Sequence, residues 1–356
     1  METGTVRRIP CESPEQKMWN LYLLLENETT AKRFLTEKYR RNGVEHPERA
    51  AFRASHALIS HVRQARELYR AARESQLLVS PLLAYYGVMN LSKAWMLSFD
   101  PEFPRNASVM RHGASTRRRK RSDYRFFSDE VRAQRDGLFP ELARKTGRPV
   151  LTGESWTMKS LLALVPELQD GFRQIFHEVS LYPIAVPERI PVISPEMPFT
   201  FEERVLEVLH LPPRRLAERL NGAGREGGAR FSCGPSAQPQ GRVRLLWSHP
   251  DSLHVNHWNR GFSHPWFRED LHGNHYLFPP AHGSAPVLPE LFVHYLLLFS
   301  LSMLCRYEAP LWGEMIGGSI SEEIVLIEEF LQVTLRKFPN LILNALFEEK
   351  ILFIRS

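Results

Sequence analysis

Arg105 and His112, with six residues between them and Asn106 directly after the arginine, are of the types that cleave RNA without a metal. A histidine takes the 2′-hydroxyl proton while an arginine stabilises the charge that gathers on phosphorus. Pro104 and Gly113 also suit a turn in which His112 is structural or touches a ligand. Beyond the pair, the chain carries Arg111, then Arg117, Arg118, Arg119, Lys120 and Arg121, then Tyr124 and Arg125. Residues 105–148 hold 13 Lys and Arg against five Asp and Glu, a balance of +8, so the rest of the chain sums to −2 within a total of +6. A positive field this concentrated fits phosphates, and nucleic acid or a nucleotide is the expected partner. Pairing of the arginines with Asp123, Asp129 and Glu130 is the competing use.

Two further groups of side chains invite chemistry. Seven of the 14 histidines fall between His249 and His282, among them the pairs His254/His257 and His272/His275. No cysteine lies among them, and Trp247, Trp258, Phe262, Trp266, Phe267 and Tyr276 surround them, so an aromatic wall is expected and no metal or other cofactor. Asn256, Trp258 and Arg260 have the hydrogen-bonding and stacking groups that hold a base or ribose. On one helix face, Tyr86, Asn90 and Lys93 make a polar stripe that either faces a ligand or bonds internally.

These residues need elements to position them. Alanines and leucines recurring at three and four predict a helix over 47–76, and Ser80 followed by Pro81 predicts another from 80 to about 99, stopped by Asp100 and Pro101. With so short a link the two must form an antiparallel hairpin. Shorter helices are expected over 15–26 and 30–39, and one over 155–170 broken by Pro166. Proline and glycine then become frequent, and β-type runs are expected at 181–186, 189–193, 229–233 and 242–247, with a helical pattern over 201–221 and a glycine-rich loop over 222–240. The almost wholly apolar stretch 289–306 predicts a buried helix. Ser319 with Glu322 predicts a capped helix ending before Pro339, and 341–353 a last helix or strand. The expected organisation is a helical region 1–180 containing the basic segment, a strand- and loop-rich region 181–288, and C-terminal helices 289–356 packing on the first.

Several stretches together resemble the YaaC-like family, a bacterial group: SPLLAYYGVMNLSKA from Ser80, the His112–Gly113 pair with the basic STRRRKRSDYRFF after it, DEVRAQRDGLFPELA from Asp129, and LPELFVHYLLLFSLSMLCRYE from Leu288. The resemblance spans nearly the whole chain and brings no established reaction. The helix bearing YYGVMNLSKA also looks like the second long helix of HEPN-type domains, many of them RNA-directed and some using an arginine-to-histidine motif. That likeness implies a HEPN-like hairpin core and, on Arg105 and His112, a metal-independent endoribonuclease.

With 356 residues, 43% hydrophobic and 24% charged, the chain has globular composition, which excludes disordered, collagenous and disulfide-scaffold classes. The expected fold is mainly α with a β-containing middle, an α+β arrangement. Cys11, Cys233 and Cys305 are too far apart for a metal or disulfide motif and suit a reducing, cytoplasmic setting. Residues 1–10 have no apolar run, and no membrane partner is implied. Walker A, GxGxxG, GxSxG and HExxH motifs are absent, which counts against nucleotide hydrolysis, hydride transfer, serine hydrolysis and zinc proteolysis. Three readings follow: a binder of nucleic acid or nucleotide, the ribonuclease, and a non-enzymatic regulator that docks on a metabolic enzyme. A homodimer fits each of them.

Overall fold

The alternation of small apolar and charged residues after Pro47 makes a single helix of 28 residues in the computed structural model, which describes residues 6–116, 124–148, 151–186, 196–223, 230–234, 241–248, 264–279, 287–317 and 321–355. In chain order the opening part runs β1 (Val6–Cys11), α1 (Pro14–Glu26), α2 (Glu28–Arg41), α3 (Pro47–Glu74), α4 (Ser80–Phe99), β2 (Ala114–Thr116), β3 (Glu130–Ala133), α5 (Leu138–Lys145), β4 (Ser155–Thr157) and α6 (Met158–Leu162). The middle adds α7 (Gln169–Phe176), β5 (Tyr182–Ile184), β6 (Glu196–Glu202), α8 (Arg204–Leu209), α9 (Pro213–Ala223), β7 (Arg230–Cys233), β8 (Arg242–Ser248), β9 (Phe267–Glu269) and β10 (His275–Leu277). The end holds α10 (Glu290–Tyr307), α11 (Ala309–Gly317), α12 (Glu322–Phe347) and β11 (Lys350–Arg355). The fold is mainly helical with small sheets.

The chain divides into two compact units. The helical one comprises Pro10–Leu162, Leu291–Phe347 and Phe353–Ser356; the mixed one comprises Met1–Ile9, Ala163–Glu290 and Glu348–Leu352.

In the helical unit α3 buries the predicted face, including Ala54, Leu58, Val62, Ala65 and Tyr69. It packs on α4, which is buried along most of its length. A Cβ at Gly87 would lie 2.7 Å from two carbons of the Tyr69 ring, so only glycine lets the two helices approach this closely. Two buried phenols tie helices together: Tyr39 donates to the Leu97 carbonyl at 2.6 Å and Tyr22 to the Pro339 carbonyl at 2.7 Å. Among the described residues α10 alone is long and apolar enough to cross a membrane, and 67% of that stretch is buried. A helix apolar all round finds its apolar surroundings in protein as readily as in lipid. Strands β2, β3 and β4 form a small antiparallel sheet.

In the mixed unit β8 lies between β6 and β7 in an antiparallel sheet. Val243, Leu245 and Trp247 alternate inward from β8 and meet Phe199 and Phe201 of β6 and Leu216 and Leu220 of α9. A second sheet runs β5–β10–β9, and β1 pairs with β11.

Several expectations are corrected. Residues 155–170 hold β4, α6 and a 3-10 turn instead of one helix, because Trp156 joins the β3 ladder opposite Val131. The 201–221 pattern starts as the end of β6 and then splits into α8 and α9 at Pro212 and Pro213. Helix α12 runs through Pro339, since burying Phe338, Ile342, Leu343 and Leu346 on one continuous helix outweighs the backbone bond a proline removes. Its cap is Ser321, whose hydroxyl accepts from the Ile324 amide at 3.3 Å. Ser319 and the 189–193 run lie outside the described residues, as does most of 222–240.

Candidate functional site

His112 sits where the link after α4 turns into β2, and its main chain is held on both sides. Asn106 starts a short 3-10 turn by accepting from the Ser108 and Val109 amides at 3.0 and 3.3 Å. The Arg111 carbonyl accepts from the Leu138 amide at 2.8 Å, and the His112 carbonyl accepts from the Phe139 amide at 3.3 Å and from the Tyr295 hydroxyl at 2.6 Å. Gly113 follows with φ +77°, where a Cβ would stand 2.4 Å from Cδ of Pro140. Only glycine takes this turn without strain and overlap, and it fixes the direction in which the His112 ring leaves the chain.

The ring lies 5.3 Å from Tyr85 and 5.7 Å from Phe299, centroid to centroid. Its Nδ1 is 2.9 Å from the Tyr85 hydroxyl. The Tyr295 proton is spent on the His112 carbonyl, and the two phenol oxygens are 3.5 Å apart, the edge of hydrogen-bonding range. The direction of the Tyr85–Nδ1 bond follows the imidazole tautomer, and Nε2 makes no hydrogen bond to any described residue. Burial, followed by the charges of Arg306 and Lys93, pushes the imidazole below its ordinary value. At neutral pH the ring is uncharged.

This ring lines a cavity of about 510 Å³. Phe299, Met303, Leu304 and Leu311 give it an apolar side, and Ser115, Thr116, Tyr124, Asp129 and Glu308 a polar one. Asp129 accepts from the Tyr124 hydroxyl at 3.0 Å and from the Glu130 amide at 2.8 Å. Burial and then this carboxylate push the Tyr124 phenol far up, so it stays protonated. Apolar walls with a few placed donors and acceptors are what small-molecule sites are made of.

On its other flank His112 feels only positive charge. Arg306, at the end of the apolar α10, donates to the Tyr86 hydroxyl at 3.2 Å and stacks 4.9 Å from the Tyr307 ring. Lys93 is half-buried, which lowers its value, and no described residue gives it a carboxylate. Asn90 spends its amide internally, Nδ2 donating to the Tyr86 carbonyl at 2.9 Å and Oδ1 accepting from Nδ1 of His61 at 2.8 Å. Within the stripe, Asn90 is bonded internally, Tyr86 accepts from Arg306, and Lys93 has no carboxylate partner among the described residues.

The predicted site residues fare differently. Arg105 is exposed, its Nε bonded to Asp100 at 2.9 Å, and it is not among the residues lining the cavity. Lys145 reaches the same carboxylate at 4.0 Å and Arg144 pairs with Glu141, so part of the basic segment is already neutralised. Arg125 is exposed and acts electrostatically on Glu323. Arg111 is exposed, with no carboxylate partner among the described residues. Arg117, Arg118, Arg119, Lys120 and Arg121 lie outside the described residues, as do Asn256, Trp258, Arg260, His249, His254, His257 and His282. His264 is buried and fully used: Nε2 bonds the Leu220 carbonyl at 2.8 Å and Nδ1 accepts from the Trp266 amide at 3.0 Å. Burial pushes it down to about 4 and His275 down to about 3. Among the described residues no three His, Cys, Asp or Glu come together as a metal ion requires.

Sequence reasoning passed over His61, Tyr295, Glu308 and Arg306. The last had a signal, a lone arginine closing an apolar helix. The others become visible only once distant helices meet.

A family model described as YaaC-like Protein matches residues 23–346. No curated protein and no solved structure matches the chain.

Proposed function

We propose that the chain, which belongs to the YaaC-like protein family, binds a phosphate-bearing ligand, a nucleotide or nucleic acid, at the cavity beside His112. The observation that carries this reading is the His112 ring on the wall of a cavity of about 510 Å³, with Nδ1 bonded to Tyr85 and Nε2 without a partner among the described residues. Three features support it. The cavity has an apolar side on which a base can lie and carboxylates that accept from a base's amino groups. Arg306 and Lys93 put positive charge next to His112. The sequence joining the cavity residues Thr116 and Tyr124 contains the arginine run. The free thiols of Cys11, Cys233 and Cys305 suit a cytoplasmic setting.

Titration of the purified chain with nucleoside monophosphates and short RNA and DNA at low ionic strength tests the reading. Binding that weakens steeply with salt and is lost in His112→Ala supports it; no measurable binding to any of these probes ends it. The ribonuclease reading draws less support, because Arg105 is engaged by Asp100 and is not among the residues that line the cavity with His112. RNA cleavage in EDTA that disappears in His112→Ala would restore it.

A further inference from the structure

Ion pairs elsewhere in the helical unit follow an ordinary pattern: Arg66 and Arg63 share Glu26, Arg73 meets Glu15, and Arg40 meets Glu48. The cations beside His112 break it. Lys93 and Arg306 have no carboxylate partner among the described residues, and each puts its charge on the same imidazole. Lys93 also acts on His61. A half-buried ammonium without a counter-charge is costly unless an anion completes it. Arg306 is held ready by the Tyr86 hydroxyl and the Tyr307 ring, so ordering it on an anion costs little.

The two histidines complete the group. The Asn90 carbonyl oxygen takes the Nδ1 proton of His61, which leaves the other ring nitrogen of His61 without a described partner. Nε2 of His112 likewise has no described partner. Tyr85, Tyr86 and Asn90 of α4 thus bond His112, Arg306 and His61 within the two helical turns that also carry Lys93, which gathers two cations and two histidines along one stretch of α4.

We infer that Lys93 and Arg306, with His61 and His112 as hydrogen-bonding neighbours, form the seat for the phosphate monoester of a nucleoside monophosphate. This rests on the reading above that the His112 cavity takes a nucleotide, and it adds which side chains hold the phosphate. The base then lies in the cavity and the phosphate on the cationic flank, with His112 between them. A phosphate dianion matches this flank better than a carboxylate, since its three terminal oxygens can meet several donors at once.

The test uses the full chain with three probes: inorganic phosphate, the nucleoside 5′-monophosphates and the parent nucleosides. Affinity is measured by calorimetry, and the imidazole resonances of His61 and His112 are followed by NMR. Lys93→Met and Arg306→Gln are compared with the wild type after thermal melts confirm that they fold. Lys93→Arg serves as the conservative control. The expected result is that the monophosphates bind more tightly than the nucleosides, that phosphate alone shifts both imidazoles, and that each variant loses about tenfold or more in monophosphate affinity while nucleoside affinity is unchanged. Lys93→Arg keeps most of the affinity. Monophosphate binding that neither variant weakens overturns the phosphate seat and leaves the proposed function standing. A phosphate response that Lys93→Met removes, without nucleotide binding, upholds the seat and overturns the nucleotide. No response to any probe overturns both.

Discussion

His112 of the helical unit and His264 of the mixed unit are both histidines that burial pushes below the ordinary imidazole value. Their remaining valences differ. Both nitrogens of His264 are bonded to main-chain groups, and nearby Arg268 gives its guanidinium to the carbonyls of Pro265, Phe267 and Leu288. His112 uses one nitrogen, and its neighbours Arg306 and Lys93 have no acid. Burial shifts a titration in either place; only an unused ring nitrogen beside open space makes a place for a ligand. The histidine-rich region stood out in the sequence, yet there His264 is spent on main-chain bonds and His272 is exposed, while an isolated histidine from a turn lines the cavity.

The comparison breaks if His264 proves dispensable. Replacing it with alanine removes two buried hydrogen bonds and leaves a void, an expected loss of about 3 kcal/mol in chemical denaturation with nucleotide affinity unchanged. The same residue sets an acid limit. The unfolded ring takes up a proton near 6.5 while the folded ring resists down to about 4. Its contribution is therefore whole above pH 6.5 and is lost as pH falls from there toward 4, by up to about 3 kcal/mol. His275 acts in the same direction from the same upper limit, its loss continuing down to about pH 3. A denaturation midpoint that stays flat between pH 6.5 and 4 contradicts this account.

Gly113→Ala should cost less, about 2 kcal/mol, because a side chain meets a positive φ and the Pro140 ring. It should also weaken nucleotide binding, since the turn aims His112. A stable variant with normal affinity would show that the turn does not position the ring. The smallest stability effect belongs to His112→Gln, under about 1 kcal/mol. Its affinity for nucleoside monophosphate should nonetheless fall about tenfold, measured by calorimetry. Equal losses of stability at His112 and His264 would erase the distinction between the two units.

Much of the helical unit was legible. The 3.6-residue recurrence along α3 picked out most of its buried face, Ala50, Ala54, Leu58, Val62, Ala65, Tyr69 and Ala72, though not Ala51 and Ser55, and Ser80, Pro81 and Asp100 bounded α4 closely. The mixed unit read less well. The expected runs at 181–186, 229–233 and 242–247 are β5, β7 and β8, but β9 and β10, three residues each, carry too little alternation to show, and β6 was missed save for its last two residues, which fell in a pattern that suited a helix. Proline was misread at 339, where a buried apolar face carried the helix onward. Of the candidate site, His112 stood out through its spacing from Arg105, and Tyr86, Asn90 and Lys93 as polar residues on an apolar helix, while their partners came from distant segments.

Local patterning by itself determined the hairpin, the buried α10 and the excess of positive charge after residue 105, because periodicity and composition act along the chain. Tertiary structure alone decided which cations keep their charge: Arg105 met Asp100, while Lys93 and Arg306 from helices more than 200 residues apart met no acid and flanked one imidazole. Whether a charge is spent depends on what stands within a few ångströms of it, and that neighbourhood is set by how the helices pack, not by their order in the chain.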